Sequence, residues 1–280
     1  MDFLTKETYL NSLDDFLGEL QLAERSDSTL KKYRRDLMKI VPSLPDTFKK
    51  ETIIAYKNAL IDLGYKLSSI NSFLVILNKY LKWLNAEQLQ VRLLKTQRRG
   101  SREDIITLED YKRLLRIAKR RGEMDMYYLM KVLAWTGIRI DELKFITAES
   151  LSSNYIQVTN KGKTRTVILR QDLARDLRRY CRQKGIRKGV IFVGRKEGVL
   201  MAKSTIWRRM KKIAGVARVN KAKVHPHSFR HFFAKEFLKQ NNNNILELAD
   251  ILGHDSLDTT RIYNVSTDAE KRKKIENMKF

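Results

Sequence analysis

Apolar residues recur at three- and four-residue steps through residues 1–95. Leu10, Leu13, Phe16, Leu17 and Leu20 fall on one face of a helix by this spacing. Ser26-Asp27-Ser28 supplies N-cap oxygens before a second amphipathic helix from Thr29 to Leu37, and Pro42 and Pro45 then break the chain. A third helix is expected near Lys49 to Leu63, ending at Gly64, where a left-handed residue costs little. Ser68 and Ser69 are placed to cap a fourth, whose buried face is Ile70, Phe73, Leu74, Leu77, Tyr80, Leu81 and Leu84. Four helices on short connectors predict a small bundle over residues 1–96.

The pattern lapses at 97–104, where Gln97-Arg98-Arg99-Gly100-Ser101-Arg102 is polar and basic and reads as a linker, either a simple tether or the hinge of a clamp. Over 105–280 it resumes with a mixed period. Thr107, with Asp110 three residues on, predicts a capped helix continuing through Leu114, Leu115 and Ile117. A more apolar helix follows at Met124 to Trp135, and a glycine break precedes Ile138-Arg139-Ile140-Asp141-Glu142-Leu143. Tyr155–Thr159 and Arg165–Leu169 are β-rich runs around Asn160-Lys161-Gly162-Lys163-Thr164, which predicts a hairpin. Helices are expected at 171–184 and 204–217, with a short buried strand or extended stretch at 189–194 between them. A further helix begins near His227 and runs through Phe237 and Leu238. Asn241–Asn244 is a loop, and Ile245–Leu252 is a helix that ends at Gly253. The expected class is mainly α with a small β-sheet.

Charge changes this picture. Lys and Arg outnumber Asp and Glu 57 to 32, a net of +25. The excess lies mostly in the second segment, since residues 1–100 carry only +5 of it. A polyanion is the expected partner, with nucleic acid before an acidic membrane. Neither an amphipathic basic helix with an aromatic edge nor a long apolar span is present, and the N-terminus has no signal-peptide core, so no membrane role is expected. One cysteine, Cys181, excludes an intramolecular disulfide and fits a reducing cytoplasm.

The candidate chemistry lies between His225 and Tyr263. All four histidines fall there, with Arg230 and Tyr263, a set suited to a phosphodiester. His227 and His231, four apart, would suit a metal, but no His-Glu-x-x-His pattern or third ligand accompanies them, and no metal is expected. Arg139, after the glycine break, reads either as a clamp that holds a phosphate through two nitrogens or as an ordinary surface arginine. Lys161 and Lys163 tip the hairpin as a basic finger or as an exposed turn. Lys31, Lys32, Arg34 and Arg35 on the second helix, and Arg208 and Arg209 on the basic helix at 204–217, contact phosphates or are simply solvated.

These residues resemble the tyrosine recombinases, the phage integrase and Xer-like site-specific recombinases. The resemblance is carried by Arg139 in Thr-Gly-Ile-Arg-Ile-Asp-Glu-Leu, Lys161 in Asn-Lys-Gly-Lys-Thr-Arg, His227-x-x-Arg230, Leu-Gly-His254, and Tyr263 nine residues later. The segment Ser-Thr-Leu-Lys-Lys-Tyr-Arg-Arg-Asp-Leu also resembles the family's core-binding domain, so nearly the whole chain is covered. The resemblance implies an N-terminal helical, SAM-like core-binding domain and a mixed α/β catalytic domain that close around duplex DNA carrying specific recombination sites. It makes Tyr263 the nucleophile of a 3′-phosphotyrosyl intermediate, stabilised by Arg139, Arg230 and His254. Lys161 is then the acid for the leaving 5′-oxygen and His227 the base or proton shuttle. Glu142 is a buttress behind Arg139, and His231 is structural. No metal or nucleotide is implied, because the covalent link stores the phosphodiester energy. Relatives dock a C-terminal tail on a neighbouring protomer; here Ile275, Met278 and Phe280 would supply the contact within a homotetramer, or with a second recombinase. Asn264-Val265 departs from many relatives, which carry a histidine two residues after the nucleophile. No separate arm-binding domain is expected before residue 1, which favours a simple Xer-like architecture. Two other functions stay open at this point: topoisomerase IB-like relaxation, and non-catalytic DNA binding as a regulator.

Overall fold

Tyr9 and Tyr80 are completely buried, and each hydroxyl is accommodated by a backbone carbonyl: Tyr80 donates to Tyr9 at 2.5 Å and Tyr9 donates to Leu37 at 3.0 Å. Burying a phenol is costly without such a partner. Around this pair the computed structural model folds the first unit, Met1–Arg99. The structure describes residues 3–95, 105–160, 162–196 and 198–253, together with Glu276; the side chains of Asn160 and Lys163 are excepted. The linker 97–104, Lys161, His254, Tyr263 and the tail contacts at Ile275, Met278 and Phe280 lie outside the described residues.

The first unit contains β1 (Leu4–Thr5), α1 (Lys6–Asn11), α2 (Leu13–Leu22), α3 (Asp27–Met38), β2 (Thr47–Phe48), α4 (Lys50–Asp62) and α5 (Leu67–Trp83). The two short strands pair antiparallel, Leu4 opposite Phe48. Helix α5 is the spine, burying Ile70, Phe73, Leu74, Ile76, Leu77, Tyr80 and Leu81. Asn71 and Asn78, seven residues apart on this helix, each form paired hydrogen bonds with the following chain, at Leu94 and Val91 respectively. Two details correct the sequence reading. Helix α5 starts at Leu67 with Lys66 at the N-cap, so Ser68 and Ser69 lie inside its first turn. Ser26 does sit at the N-cap of α3, but its hydroxyl bonds Ser28 and Thr29 side chains instead of a backbone amide.

The second unit, Gly100–Phe280, opens with α6 (Leu108–Arg120). Its capping box is complete: Thr107 accepts from the Asp110 amide and Asp110 accepts from the Thr107 amide, both at 3.1 Å. Helix α7 (Met124–Thr136) buries residues on every side, as a central helix must. α6, α8 (Gln171–Lys184), α9 (Lys203–Val216) and α10 (Pro226–Gln240) pack around it. The hairpin pairs β3 (Tyr155–Asn160) with β4 (Lys163–Ile168), from Tyr155 opposite Ile168 to Asn160 opposite Lys163. Its two-residue turn has Gly162 at φ +76°, the left-handed conformation that a tight hairpin demands. Of the two readings of 189–194 the structure takes the extended stretch, held by two isolated bridges, Thr147 with Val190 and Val193 with Leu200. Helix α11 (Ile245–Leu252) joins α10 through Ala234, Leu238, Leu248 and Leu252. Mainly helical and carrying two small antiparallel sheets, the fold is of the expected class. No helix among the described residues is long and apolar enough to cross a membrane.

Candidate active site

Three arginines from three elements converge on the C-terminal turn of α11. Arg230, in the first turn of α10, is 3% exposed and donates to the Gly137 carbonyl at 2.6 Å and the Leu252 carbonyl at 2.8 Å. Arg139 donates to the Gly253 carbonyl at 3.4 Å and to Glu142 Oε1 at 3.1 Å. Arg165, on β4, reaches the Ile251 carbonyl at 3.3 Å and Glu142 Oε2 at 2.7 Å. Residues 251, 252 and 253 thus each present a carbonyl to a different guanidinium, at the end of a helix where carbonyls lack helical partners and the dipole is negative.

Local structure explains how these side chains arrive. Gly137 ends α7 at φ +62°, and a Cβ there would stand 2.6 Å from Phe233 Cδ1 and 2.7 Å from Leu252 Cδ2. The reversal sends Arg139 into the N-cap position of the 3-10 turn Ile140–Phe145. Glu142, only 1% exposed, accepts from the Arg139 amide at 2.8 Å and thereby fixes backbone and side chain of the arginine together. Pro226 at the first position of α10 costs no hydrogen bond, and His227 and Arg230 follow on one face of its opening turn.

Electrostatically, two guanidinium groups, those of Arg139 and Arg165, share the Glu142 carboxylate, while Arg230 meets only backbone carbonyls in the contacts above. Arg165 has its pKa lowered by burial first, against the opposing pull of Glu142, with the charge of Arg139 adding to the depression. A positive excess in a partly desolvated cleft is costly unless an anion completes it. His227 is exposed as a residue, yet partial desolvation of its ring, then Arg230 and Arg139, lower its pKa; Asp141 opposes them. His231 is pushed down to about 4 by burial first, then by His227, His225 and Arg230. Both imidazoles are therefore uncharged at neutral pH, and a neutral imidazole has a lone pair with which to accept a proton.

Six tyrosines are held away from ionisation. Burial raises Tyr9, Tyr56, Tyr80, Tyr111 and Tyr128, and raises Tyr180 to about 12. They are poorly placed to become phenolate nucleophiles.

The structure brings Arg139, His227 and Arg230 into one site and adds Arg165, which the sequence reading did not select. Its only sequence signal is a second basic residue on the strand that begins at Lys163. Among the other basic candidates, Lys31 and Arg208 are exposed. Arg34 pairs with Asp14, whereas Lys32 and Arg35 pair with the buried Asp36 at 2.9 and 3.1 Å. Arg209 donates to Glu123 at 3.0 Å and is paired with Asp125, and both carboxylates are lowered in pKa: burial opposes, but hydrogen bonds and charge, from Arg121 and Arg209 at Glu123 and from Arg209 at Asp125, outweigh it. These pairs hold α9 against the start of α7.

Comparison with known proteins agrees with this architecture. The sequence model described as "Phage integrase family" matches residues 104–270, and "Phage integrase, N-terminal SAM-like domain" matches 13–88. The tyrosine recombinase XerA of Pyrococcus furiosus is 26% identical over 270 residues, 94% of this chain and 92% of its own. The tyrosine recombinase XerD of Pseudomonas putida is 29% identical over 276 residues, 90% of this chain and 91% of its own. A crystal structure of XerA recombinase, 26% identical, superposes with a TM-score of 0.55 over 96% of this chain and 99% of that one. A lambda integrase tetramer bound to a Holliday junction, 19% identical, shares the fold with a TM-score of 0.74 over 95% of this chain and 80% of that one. Fold and sequence together define an enzyme of the tyrosine site-specific recombinase class. The chain belongs to the phage integrase family, the tyrosine site-specific recombinases.

Proposed function

We propose that this protein cuts and rejoins duplex DNA at specific sites through a 3′-phosphotyrosyl intermediate. The observation that carries the reading is the convergence of Arg139 and Arg230 on the turn immediately before His254, beside an uncharged His227. In this account the Tyr263 oxygen bonds to phosphorus while the bond to the 5′-oxygen breaks. The tyrosine proton passes to His227, and Lys161 protonates the departing 5′-oxygen. Arg139, Arg230 and His254 stabilise the charge that grows on the non-bridging oxygens. Rejoining reverses the step with a 5′-hydroxyl from the partner strand, so no external energy source enters.

The polyanion expected from the charge excess is then double-stranded DNA, gripped by Lys31, Lys32, Arg34 and Arg35 of the first unit and by Lys163 and Arg208 of the second. The lambda integrase tetramer on a Holliday junction supports assembly of four protomers on two sites. The domain limits 1–96 and 105–280, the tail exchanged between protomers and a cytoplasmic location belong to the same proposal.

The test is a nicked suicide duplex carrying whatever site the wild-type protein selects from a random-sequence pool. Wild-type protein should accumulate a covalent DNA adduct, and Arg230→Ala should slow its formation by roughly 100- to 1,000-fold, the usual loss for one preorganised donor to a developing oxyanion. Relaxation of supercoiled DNA without site preference would favour topoisomerase chemistry instead. Site-selective binding with no adduct would favour a regulator.

A further inference from the structure

Arg165 takes no part in the reaction as written above, yet its side chain reaches both halves of the site. It stands on β4 opposite Val158, four residues after Lys161. Its Nη2 donates to Glu142 Oε2 at 2.7 Å, the same oxygen that accepts the Arg139 amide at 2.8 Å. Its Nη1 donates to the Ile251 carbonyl at 3.3 Å. The last turn of α11 closes directly on its stem: a Cβ at Gly253 would stand 2.5 Å from Arg165 Cδ and 3.1 Å from Nε, so only glycine fits there. The Nε itself is buried with no hydrogen-bond partner among the described residues. An unmet buried donor is unfavourable, so the position of this guanidinium is dictated by its other two contacts.

We infer that Arg165 is a positioning residue for strand cleavage. It fastens the hairpin strand that follows Lys161 to the carboxylate that orients Arg139, and to the helix end that leads into His254. Three segments far apart in sequence are thereby held in one register at a single guanidinium. An arginine is required because two separated acceptors, a carboxylate and a carbonyl, must be met by one rigid fork; the single compact ammonium of lysine cannot span them. The inference rests on the recombinase reading above.

The experiment uses the full chain and the same nicked duplex, comparing Arg165→Lys, Arg165→Ala, Glu142→Gln and the double variant Arg165→Lys/Glu142→Gln, with Arg139→Ala as a reference. Both Arg165 variants should lower the single-turnover cleavage rate at saturating protein by about 100-fold, the scale of a misplaced catalytic constellation. The protein concentration that half-saturates the DNA should move by no more than about threefold, since interactions made only in the transition state leave binding alone. The double variant should lose no more than the worse single, because both changes break the same contact. Arg165→Lys preserves charge and carries the test if Arg165→Ala fails to fold. Wild-type cleavage by folded Arg165→Lys, or losses that multiply in the double variant, would overturn the inference while a dead Arg139→Ala left the recombinase reading standing. Wild-type cleavage by Arg139→Ala would instead remove that reading, and the role of Arg165 with it.

Discussion

Arg230 holds the Leu252 carbonyl at 2.8 Å, two residues before His254 in the chain. One buried side chain on α10 thereby ties the end of α7, through Gly137, to the end of α11. The contact makes the site a consequence of packing: the residues that build the core between α10 and α11 also fix where the following chain begins.

Gly137→Ala should damage both stability and chemistry. The left-handed backbone and the close approach of Phe233 and Leu252 leave no space for a methyl group. A loss of about 1–3 kcal/mol is expected from strain and overpacking. It should register as a lower urea midpoint with an unchanged slope, together with slower cleavage, because the Gly137 carbonyl also anchors Arg230.

His227 sets the sign of the pH response. Its pKa is depressed below the ordinary 6.5, so the neutral form that accepts a proton predominates at neutral pH and is lost on acidification. The single-turnover cleavage rate should therefore hold near neutrality and fall on acidification, with the limb displaced to lower pH than an ordinary imidazole would give. His227→Gln should cleave slowly and lack the acid limb. The same limb in that variant would assign it to another group.

His231 affects stability instead. The folded protein keeps this imidazole uncharged down to about 4, whereas an unfolded chain protonates it near 6.5. Its contribution is fully present above the unfolded value and is lost as pH falls toward the folded one, at up to about 1.4 kcal/mol per pH unit before solvent screening reduces it. His231→Asn should flatten the fall in urea stability between neutral pH and pH 4, and the acid limb of cleavage should survive.

Arg208 and Arg209 are neighbours with opposite expectations. Arg208→Ala should weaken DNA binding and reduce the salt dependence by close to one unit of slope, as the loss of one phosphate contact does. Arg209→Ala should leave that slope alone and cost about 1–3 kcal/mol of stability, because Glu123 and Asp125 lose their shared partner. Salt titration of binding and urea unfolding of the two variants separate these effects.

What could be read in the sequence follows how local each signal is. The Thr107–Asp110 capping box, the hairpin around Gly162 and the helix ends at Gly137 and Gly253 are set within a few residues, and each stands where the pattern puts it. Arg139, His227 and Arg230 stood out through motif spacing, and the fold brings them together. Arg165 was passed over, and the ion pairs of Arg209 could not be read, because their partners lie 23 to 86 residues away in sequence. A basic side chain on a strand or helix reads as solvated until the fold supplies a buried carboxylate. Ser68 and Ser69 failed as caps for the opposite reason: the helix started earlier than its best capping residues, since burial of Ile70 and Phe73 sets its phase.

The account stands or falls on which oxygen becomes attached to DNA. The covalent complex trapped on the nicked duplex can be digested with nuclease and trypsin, and the nucleotide-bearing peptide sequenced by tandem mass spectrometry. The chain has eleven tyrosines, and the nucleotide should reside on the peptide Ile262–Lys271, at Tyr263. A nucleotide on any other residue, or an undiminished adduct in Tyr263→Phe, would contradict it.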